Sequence, residues 1–538
     1  MPSVSAGRLD SWKEIAAYLH RSVRTVRRWE RDEGLPVHRH MHQTLGSVYA
    51  EKSELDAWRD ALSRAPAMPD VTKSIAVLPF ENLSTDPENE YFAEGLTDEV
   101  TANLSKVRTL RVISRTSSRI FRGTGKDAKT IAGELRVRYL LEGSVRRAGT
   151  RLRITAQLID AASDEHLWAE TYDGTVDDVF AIQERLARMI VDALELRLTA
   201  DEEQRLAERP IDNLPAYECY LRARQEGWRW RKDSIDHAVQ LLHNGLTIIG
   251  ENARLYAALG FTYLQYREAG LDFGERPLLQ AEACAEKVFA LENASAAGLQ
   301  LRGWIHYSRG RIQNAVRDLE AALDVDPGNA DTLLLLSNCY LISGRVSLAR
   351  PLIARVLEID PLTPLSRCMP AWADLLDGNF AAVVDPYRQM FEMDPSNPMA
   401  RLFYVWVLVL TGRDDAVPPI LDSFPSEMRD TVPARIAFFL GHAKAGNLRE
   451  AQSVLTPEIE AVATATDVFP RFLAQGFALA GMPDEAMRWL EIAIDHGFIN
   501  YPFLAHHDPC LEGLRNDPRF HQLLARVHER WEMFEASA

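Results

Sequence analysis

Apolar residues recur along this chain at two different periods, and the switches between them divide it. Over residues 11–19, SWKEIAAYL, Trp12, Ile15, Ala16 and Leu19 fall at helical spacing and predict a short amphipathic helix. His20, Arg21 and Ser22 interrupt it, and Ser22 is a competent N-cap for a second helix over 23–32. The small Ala16, the turn at His20 and the apolar anchor Val26 fit the spacing of a helix-turn-helix unit. Pro36 and Gly46 then punctuate two short extended runs, 37–42 and 47–50, which read as a β-wing. A last helix over 52–62 offers Leu55, Trp58 and Leu62 to the same core. The module spans 8–62, and the proline-containing stretch 63–73 reads as a linker.

The period shortens to two in the next segment. SIAVLPF, from Ser74 to Phe80, suits a buried strand, and Phe92, Leu96, Val100 and Leu104 mark a helix over 90–107. A strand over 110–114, a helix over 129–135 and a strand over 139–145 follow. Leu152, Ile154, Ala156 and Leu158 then alternate inward along a strand over 151–160 that pairs with 166–172. A helix over 179–198 closes an α/β domain with a mixed sheet, covering 74–199.

From Asn213 onward the pattern becomes helical and repeats. Gly310, Gly344, Gly378, Gly412 and Gly446 keep a step of 34 residues, and Gly481 follows after 35. Asp326-Pro327, Asp360-Pro361 and Asp394-Pro395 keep the same step. Glycine closes one helix at a tight turn and proline stops the next, so each unit is a helical hairpin of tetratricopeptide period. Gly303, Ser337 and Ala371 are small where paired helices must approach. About eight such units, capped by a helix over 521–534, predict a solenoid over 212–535. The fold class is thus multidomain and mostly α: a small winged helix-turn-helix, an α/β mixed-sheet domain, then an all-α tetratricopeptide-repeat solenoid.

Charge changes the picture only at the front. The 538 residues carry a net charge of −16, which taken whole argues against nucleic acid. Residues 1–62, however, hold ten Lys/Arg against nine Asp/Glu, and six arginines fall between Arg21 and Arg39. On the second helix Val23, Val26 and Trp29 take one side, while Arg24, Arg27, Arg28 and Arg31 crowd the other. Like charges at i,i+4 cost a few tenths of a kcal/mol per pair. A phosphate backbone offsets that through counterion release, and arginine forks read guanine edges in the major groove. A solvated basic face is the alternative meaning of such a run.

Three resemblances follow from these residues. WKEIAAYLHRSVRTVRRWERDEGLP resembles the winged helix-turn-helix of the excisionase and MerR-like families. By that resemblance the second helix enters the major groove, with Arg21, Ser22 and Thr25 beside the arginine face. The wing residues Arg39, His40 and Thr44 then lie near the backbone or minor groove. IAVLPFENLSTDPENEYFAEGLTDEV with LLEGSVRRAGTRLRITAQLIDAASDEHLWAETYDG resembles the TolB-like (FlgO-like) module, which often sits between a bacterial signalling output domain and repeats. The repeats resemble tetratricopeptide arrays, which bind extended peptides along a concave surface. Their groove-facing position reads Trp304, Asn338, Trp372 and Trp406, with Tyr307 nearby. This predicts an aromatic ladder with an asparagine to clamp a backbone amide; ordinary inter-helix packing of tryptophan explains the same residues.

Other chemistry is thinly represented. GTGK at 123–126 fails as a phosphate loop, because Asp127 replaces the magnesium-binding Ser/Thr and Ile120 stands where the first glycine belongs. His38, His40 and His42 alternate as metal ligands could, with no fourth ligand at suitable spacing; wing or core histidines are the other reading. The five cysteines are scattered without a CxxC pair. His506-His507-Asp508 is the one dense polar cluster and reads as structural. No nucleophile–base pair or cofactor fingerprint is visible, so no enzyme, metal or cofactor is expected. No secretory leader opens the chain, and the longest apolar run, 402–410, is about half a membrane span, so a cytoplasmic protein is expected. The expectation is a transcriptional regulator whose partners are double-stranded DNA and an unidentified protein or peptide, with a scaffold built on a protein-binding winged helix as the alternative. Winged regulators often dimerise on two half-sites, which leaves a homodimer open, although no zipper is visible.

Overall fold

The computed structural model describes residues 8–9, 11–19, 23, 26, 35–39, 48–52, 54–55, 73–86 and 89–534. They belong to two compact units, Met1–Asp70 and Val71–Ala538.

In the first unit helix α1 (Trp12–Tyr18) buries Ile15 and Ala16, two of the residues whose spacing predicts it. Val23 and Val26 are helical, and Val26 is fully buried against the same core as Leu19, Leu35 and Leu55. Strands β1 (Arg8–Leu9), β2 (His38–Arg39) and β3 (Val48–Glu51) form a sheet of order β1-β3-β2, both pairings antiparallel. Two strands pair within the stretch read as a wing, with His38 opposite Tyr49, and β2 is shorter than the extended run. β1, only two residues long, has no sequence signal.

The second unit opens with a mixed sheet. Its strands are β4 (Ser74–Val77), β5 (Glu81–Asn82), β6 (Arg111–Val112), β7 (Tyr139–Ala148), β8 (Arg151–Asp160) and β9 (Glu165–Thr175). The order is β6-β4-β7-β8-β9 with β5 beside β7; β4 runs parallel to β6 and β7, and the β7-β8-β9 meander is antiparallel. The predicted alternation holds along β8, where Leu152, Ile154, Ala156 and Leu158 are all buried. Helix α2 (Glu90–Ser105) covers the face that carries Ile75 and Val77. The short α3 (Arg115–Arg119) and α4 (Ala128–Leu135) lie on the opposite face, whose core includes Ala76, Ile113 and Leu140. Asp127, which rules out a phosphate loop, N-caps α4 by accepting from Thr130 N at 2.7 Å, and Lys126 pairs with Glu134. Helix α5 (Val179–Ala193) packs on the α2 side and stops five residues short of its expected end, at the tight turn around Glu195 (φ 50°). Helix α6 (Ala200–Ala207), closed by a Thr199/Glu202 capping box, leads into the repeats.

The solenoid begins with α7 (Leu214–Gly227) against α8 (Lys232–Ile249) and α9 (Ala253–Glu268) against α10 (Glu275–Leu291). The regular units are α11 (Ala296–Ser308) with α12 (Ile312–Val325), α13 (Ala330–Ile342) with α14 (Val346–Ile359), and α15 (Pro364–Leu376) with α16 (Val384–Met393). Then come α17 (Pro398–Leu410) with the short α18 (Val417–Asp422), and α19 (Val432–Lys444) with α20 (Leu448–Ser453) and α21 (Pro457–Thr464). α22 (Phe469–Leu479) with α23 (Pro483–Asp495) and a final α24 (Pro518–Glu532) complete it. Every glycine of the 34-residue series sits at positive φ, between 66° and 77°, where a side chain would be strained. No helix among the described residues is long and apolar enough to cross a membrane.

Sheet and solenoid share one continuous apolar core that runs from Ile75 to Ile305. Arginines of the α/β part also cap repeat helices: Arg205 donates to Val325 O (2.8 Å) and Arg111 to Glu358 O (2.8 Å), at the C-termini of α12 and α14. Cations there satisfy carbonyls that the helix itself leaves open.

Candidate functional site

The arginine-rich stretch is only partly open to description. Arg21, Ser22, Arg24, Thr25, Arg27, Arg28, Arg31, His40 and Thr44 lie outside the described residues, and Arg39 is placed as a residue of β2. The apolar side of that stretch is visible, since Val23 and Val26 face the core of the first unit. His38 bonds Glu54 at 2.7 Å and packs on Tyr49, so one of the three alternating histidines serves the fold. His42 lies outside the described residues.

The ladder residues, by contrast, are all placed, and the structure brings Tyr307, Asn338, Trp372 and Trp406 into one network, while Trp304 bonds Glu268. Each stands on the first helix of its unit: Trp304 and Tyr307 on α11, Asn338 on α13, Trp372 on α15, Trp406 on α17. Asn338 donates to the Tyr307 hydroxyl (2.9 Å) and accepts from the Trp372 indole (3.3 Å). Tyr307 in turn donates to Asp467. The rings of Trp372 and Trp406 lie 5.6 Å apart, and Trp406 donates to Gln475 at 2.7 Å. Gln475 donates to Asp508, which is fully buried and also accepts from Cys510 N. Asp508, part of the cluster read from sequence as structural or incidental, is structural, the floor of the network, and burial pushes its carboxyl up to about 6.

What lies on these rings comes from the same chain. Helix α22 sets the Arg471 guanidinium 4.6 Å over Trp372 and 5.2 Å over Trp406, and Phe472 packs 5.1 Å from Trp406. Arg471 is 6% exposed, and burial pulls it down to about 10. The C-terminal turn completes the cover: Ile499 N bonds Ile342 O (3.0 Å), Asn500 donates to Leu341 O (2.9 Å) and Arg345 to Phe534 O (3.1 Å). A methyl group on Gly344 would fall 2.8 Å from Trp531 and one on Gly378 2.5 Å from His507. Successive turn glycines therefore admit close packing by residues more than a hundred positions later. The asparagine expected to clamp a peptide amide is engaged within the ladder, and Trp372 and Trp406 are buried by the returning chain. Sequence reasoning placed α22 among the repeats but missed the role of Arg471, because one arginine inside an apolar helix carries no sign of what it will stack on.

Residues 71–189 match the family model described as HilA/YgeH-like transcriptional regulator, second domain, and residues 306–366 match a tetratricopeptide repeat model. A HilA/YgeH-like regulator domain and tetratricopeptide repeats therefore occur in one chain. A Rhizobium meliloti (strain 1021) protein named putative adenylate cyclase 3 is 45% identical over 199 residues, which cover 37% of this chain and 33% of the relative. The chain thus spans about a third of the length of that curated relative. Among solved structures, a tetratricopeptide protein of Thermus thermophilus is 18% identical (36% of this chain, 100% of that one, TM-score 0.30). TolB from Acinetobacter baumannii is 19% identical (23% and 29%, TM-score 0.19).

Proposed function

We propose that this chain is a transcription regulator that binds duplex DNA through its N-terminal unit. The observation that carries the reading is the crowding of six arginines between Arg21 and Arg39 in a chain of net charge −16. Val26 of that stretch is buried, with Val23 packed beside it, in a small core with Leu19, Leu35 and Leu55, as a helix that presents its other side to DNA requires. The regulator-type domain next in the chain supports the same conclusion. On this reading the N-terminal unit is a MerR-like winged helix in which Arg24, Arg27, Arg28 and Arg31 meet the major groove. Arg21, Ser22 and Thr25 flank them, and Arg39, His40 and Thr44 touch the backbone from the wing. The domain over 74–199 is the TolB-like sensing module. The repeats over 212–535 hold a protein partner at Trp304, Tyr307, Asn338, Trp372 and Trp406, and α22 moves off Trp372 and Trp406 for a peptide to reach those two.

Genomic footprinting of wild type beside Arg24→Ala/Arg28→Ala tests the reading, together with duplex titrations of the full chain at several salt concentrations. Sites lost in the variant, and a log–log salt slope smaller by about one unit per arginine removed, support it. Equal affinity of both proteins leaves the scaffold alternative.

The match to a protein named putative adenylate cyclase supports a second reading, in which this chain makes cyclic AMP itself. Incubation of the purified chain with ATP and magnesium or manganese decides it: cyclic AMP formation establishes the cyclase, and its failure leaves the regulator.

A further inference from the structure

The mixed sheet has two edges, and the chain treats them differently. β6, at one end, is two residues long and lies against the repeats, where Arg111 donates to Glu358 O (2.8 Å) and Ser114 N bonds Ile359 O (2.8 Å). β9, at the other end, is eleven residues long and among the described residues pairs with β8 alone.

Antiparallel neighbours alternate between pairs that exchange both backbone bonds and pairs that exchange none. The two-residue turn at Gly149 (φ 61°) and Thr150 closes β7 onto β8 with Ala148 bonded to Arg151. Odd-numbered residues of β8 therefore serve β7, and even-numbered ones serve β9. The bond from Val176 N to Thr150 O (2.9 Å) keeps that phase. Leu152, Ile154 and Ala156 thus take up Gly174, Tyr172 and Glu170. Between them Ala169, Thr171 and Asp173 turn their N–H and C=O groups to the outer edge. All three residues are exposed, and no backbone group of the described residues meets them there.

Exposed edges are ordinarily blunted by lysine, proline or a bulge, because a bare row of donors and acceptors is a template for another strand. The irregularity of β9 lies near its start, where the register with β8 shifts at Leu158 and Ile159. From Trp168 to Thr175 there is no lysine, no proline and no further shift. The acidic residues of that stretch already have partners on their own sheet, Glu170 with Arg185 (3.2 Å) and Asp173 with Arg153 (2.6 Å). The edge is open and carries no unmatched charge to repel a second strand.

We propose that β9 pairs antiparallel with β9 of a second copy of this chain, about a two-fold axis at Thr171. In that register Thr171 meets its own counterpart and Ala169 meets Asp173 of the second copy on either side, so each outward-turned pair exchanges both backbone bonds. On the helix-covered face Trp168 lies across from Gly174 of the second copy, and an aromatic ring covers the backbone that a cross-strand glycine leaves bare. The sheet continues from one copy into the next through an isologous interface, and both copies bring the same unguarded strand to it. A two-fold molecule also suits a regulator that reads two half-sites; only that consideration rests on the regulator reading.

The test is sedimentation velocity and light scattering of the full chain without DNA, over about 1–100 μM. The expected mass at the upper end is twice the 60.7 kDa of one chain. Thr171→Pro removes an outward N–H and leaves the inner ladder its bonds, and Thr171→Lys sets two ammonium groups against each other across the axis. Each should raise the dimer dissociation constant about tenfold or more, while circular dichroism and thermal unfolding show the chain still folded. Thr171→Cys should give a reducible crosslinked dimer on mild oxidation, since paired Cα atoms about 5.5 Å apart are within disulfide reach. Arg151→Cys, exposed but one strand further in, should not, nor should wild type. A monomer throughout the range, a dimer indifferent to both Thr171→Pro and Thr171→Lys, or crosslinking through Arg151→Cys in place of Thr171→Cys overturns the interface. DNA is absent from these measurements, so their failure is separate from that of the regulator reading.

Discussion

Arg471 on α22 and Arg122 beyond α3 are both arginines of one compact unit, yet their surroundings end differently. Around Arg471 the surface has closed. Its Nε finds no acceptor, but four ring faces within about 5 Å hold the guanidinium, and both ladder indoles have acceptors of their own. Around Arg122 the guanidinium is held by charge instead, on Glu90 and Glu94 at a half-open surface, while Asp98 Oδ1 and Ser118 Oγ nearby make no hydrogen bond within the protein. Aromatic residues at a groove position drew attention in the sequence, but the chain covers them itself. The lesson is that residue type nominates a site and the pattern of satisfied and unsatisfied hydrogen bonds decides it.

The comparison breaks most visibly if the ladder is not structural. Trp406 is 1% exposed and holds Gln475, so Trp406→Ala should destabilise the second unit by about 3–5 kcal/mol in denaturant unfolding. A loss below about 1 kcal/mol would mean that these rings are held for a partner rather than for the fold.

Next comes the pH dependence that the closed network implies. Burial raises the Asp508 carboxyl from 3.8 to about 6, so between these values the folded chain binds a proton more tightly than the unfolded one. The stabilisation is complete below the unfolded value and is lost as pH rises through about 6, on the order of 3 kcal/mol in all. Unfolding midpoints measured from pH 4 to 8 should fall over that window in wild type and flatten in Asp508→Asn. Equal slopes would show that Asp508 is ionised throughout.

Much of this architecture was legible, and the remainder is instructive. The glycine series from Gly310 to Gly481 marks its turns because only that backbone region requires glycine, and β8 follows its alternation because one of its faces is buried. The helix α3 was missed: RTSSR has no apolar period, and it is held by Ser114 capping Ser117 N and by Asp360 from the repeats. The covering of Trp372 by Arg471 was equally out of reach, because a contact across a hundred residues leaves no mark on local periodicity.

A smaller effect is expected where the two halves of the ladder meet. Tyr307→Phe removes a hydroxyl that joins Asn338 to Asp467, leaving a donor and an acceptor half-buried, for about 1–2 kcal/mol in the same unfolding assay. Asn338→Ala in the Tyr307→Phe background should then cost less than it does alone, because the donor it removes is already idle. Strict additivity would separate Asn338 from the network.

The smallest stability effect belongs to Arg119, and it sharpens the comparison most. Its side chain is 43% exposed and shares Glu94 with two other arginines, so Arg119→Ala should change the unfolding free energy by no more than about 0.5 kcal/mol. The pair carries little energy in water, and Glu94 keeps two guanidiniums when it is lost. A residue so lightly needed by the fold, placed above two orphaned oxygens, is the opposite of Trp406. A loss above about 1 kcal/mol would show instead that Arg119 is bound into the fold as firmly as an interior residue.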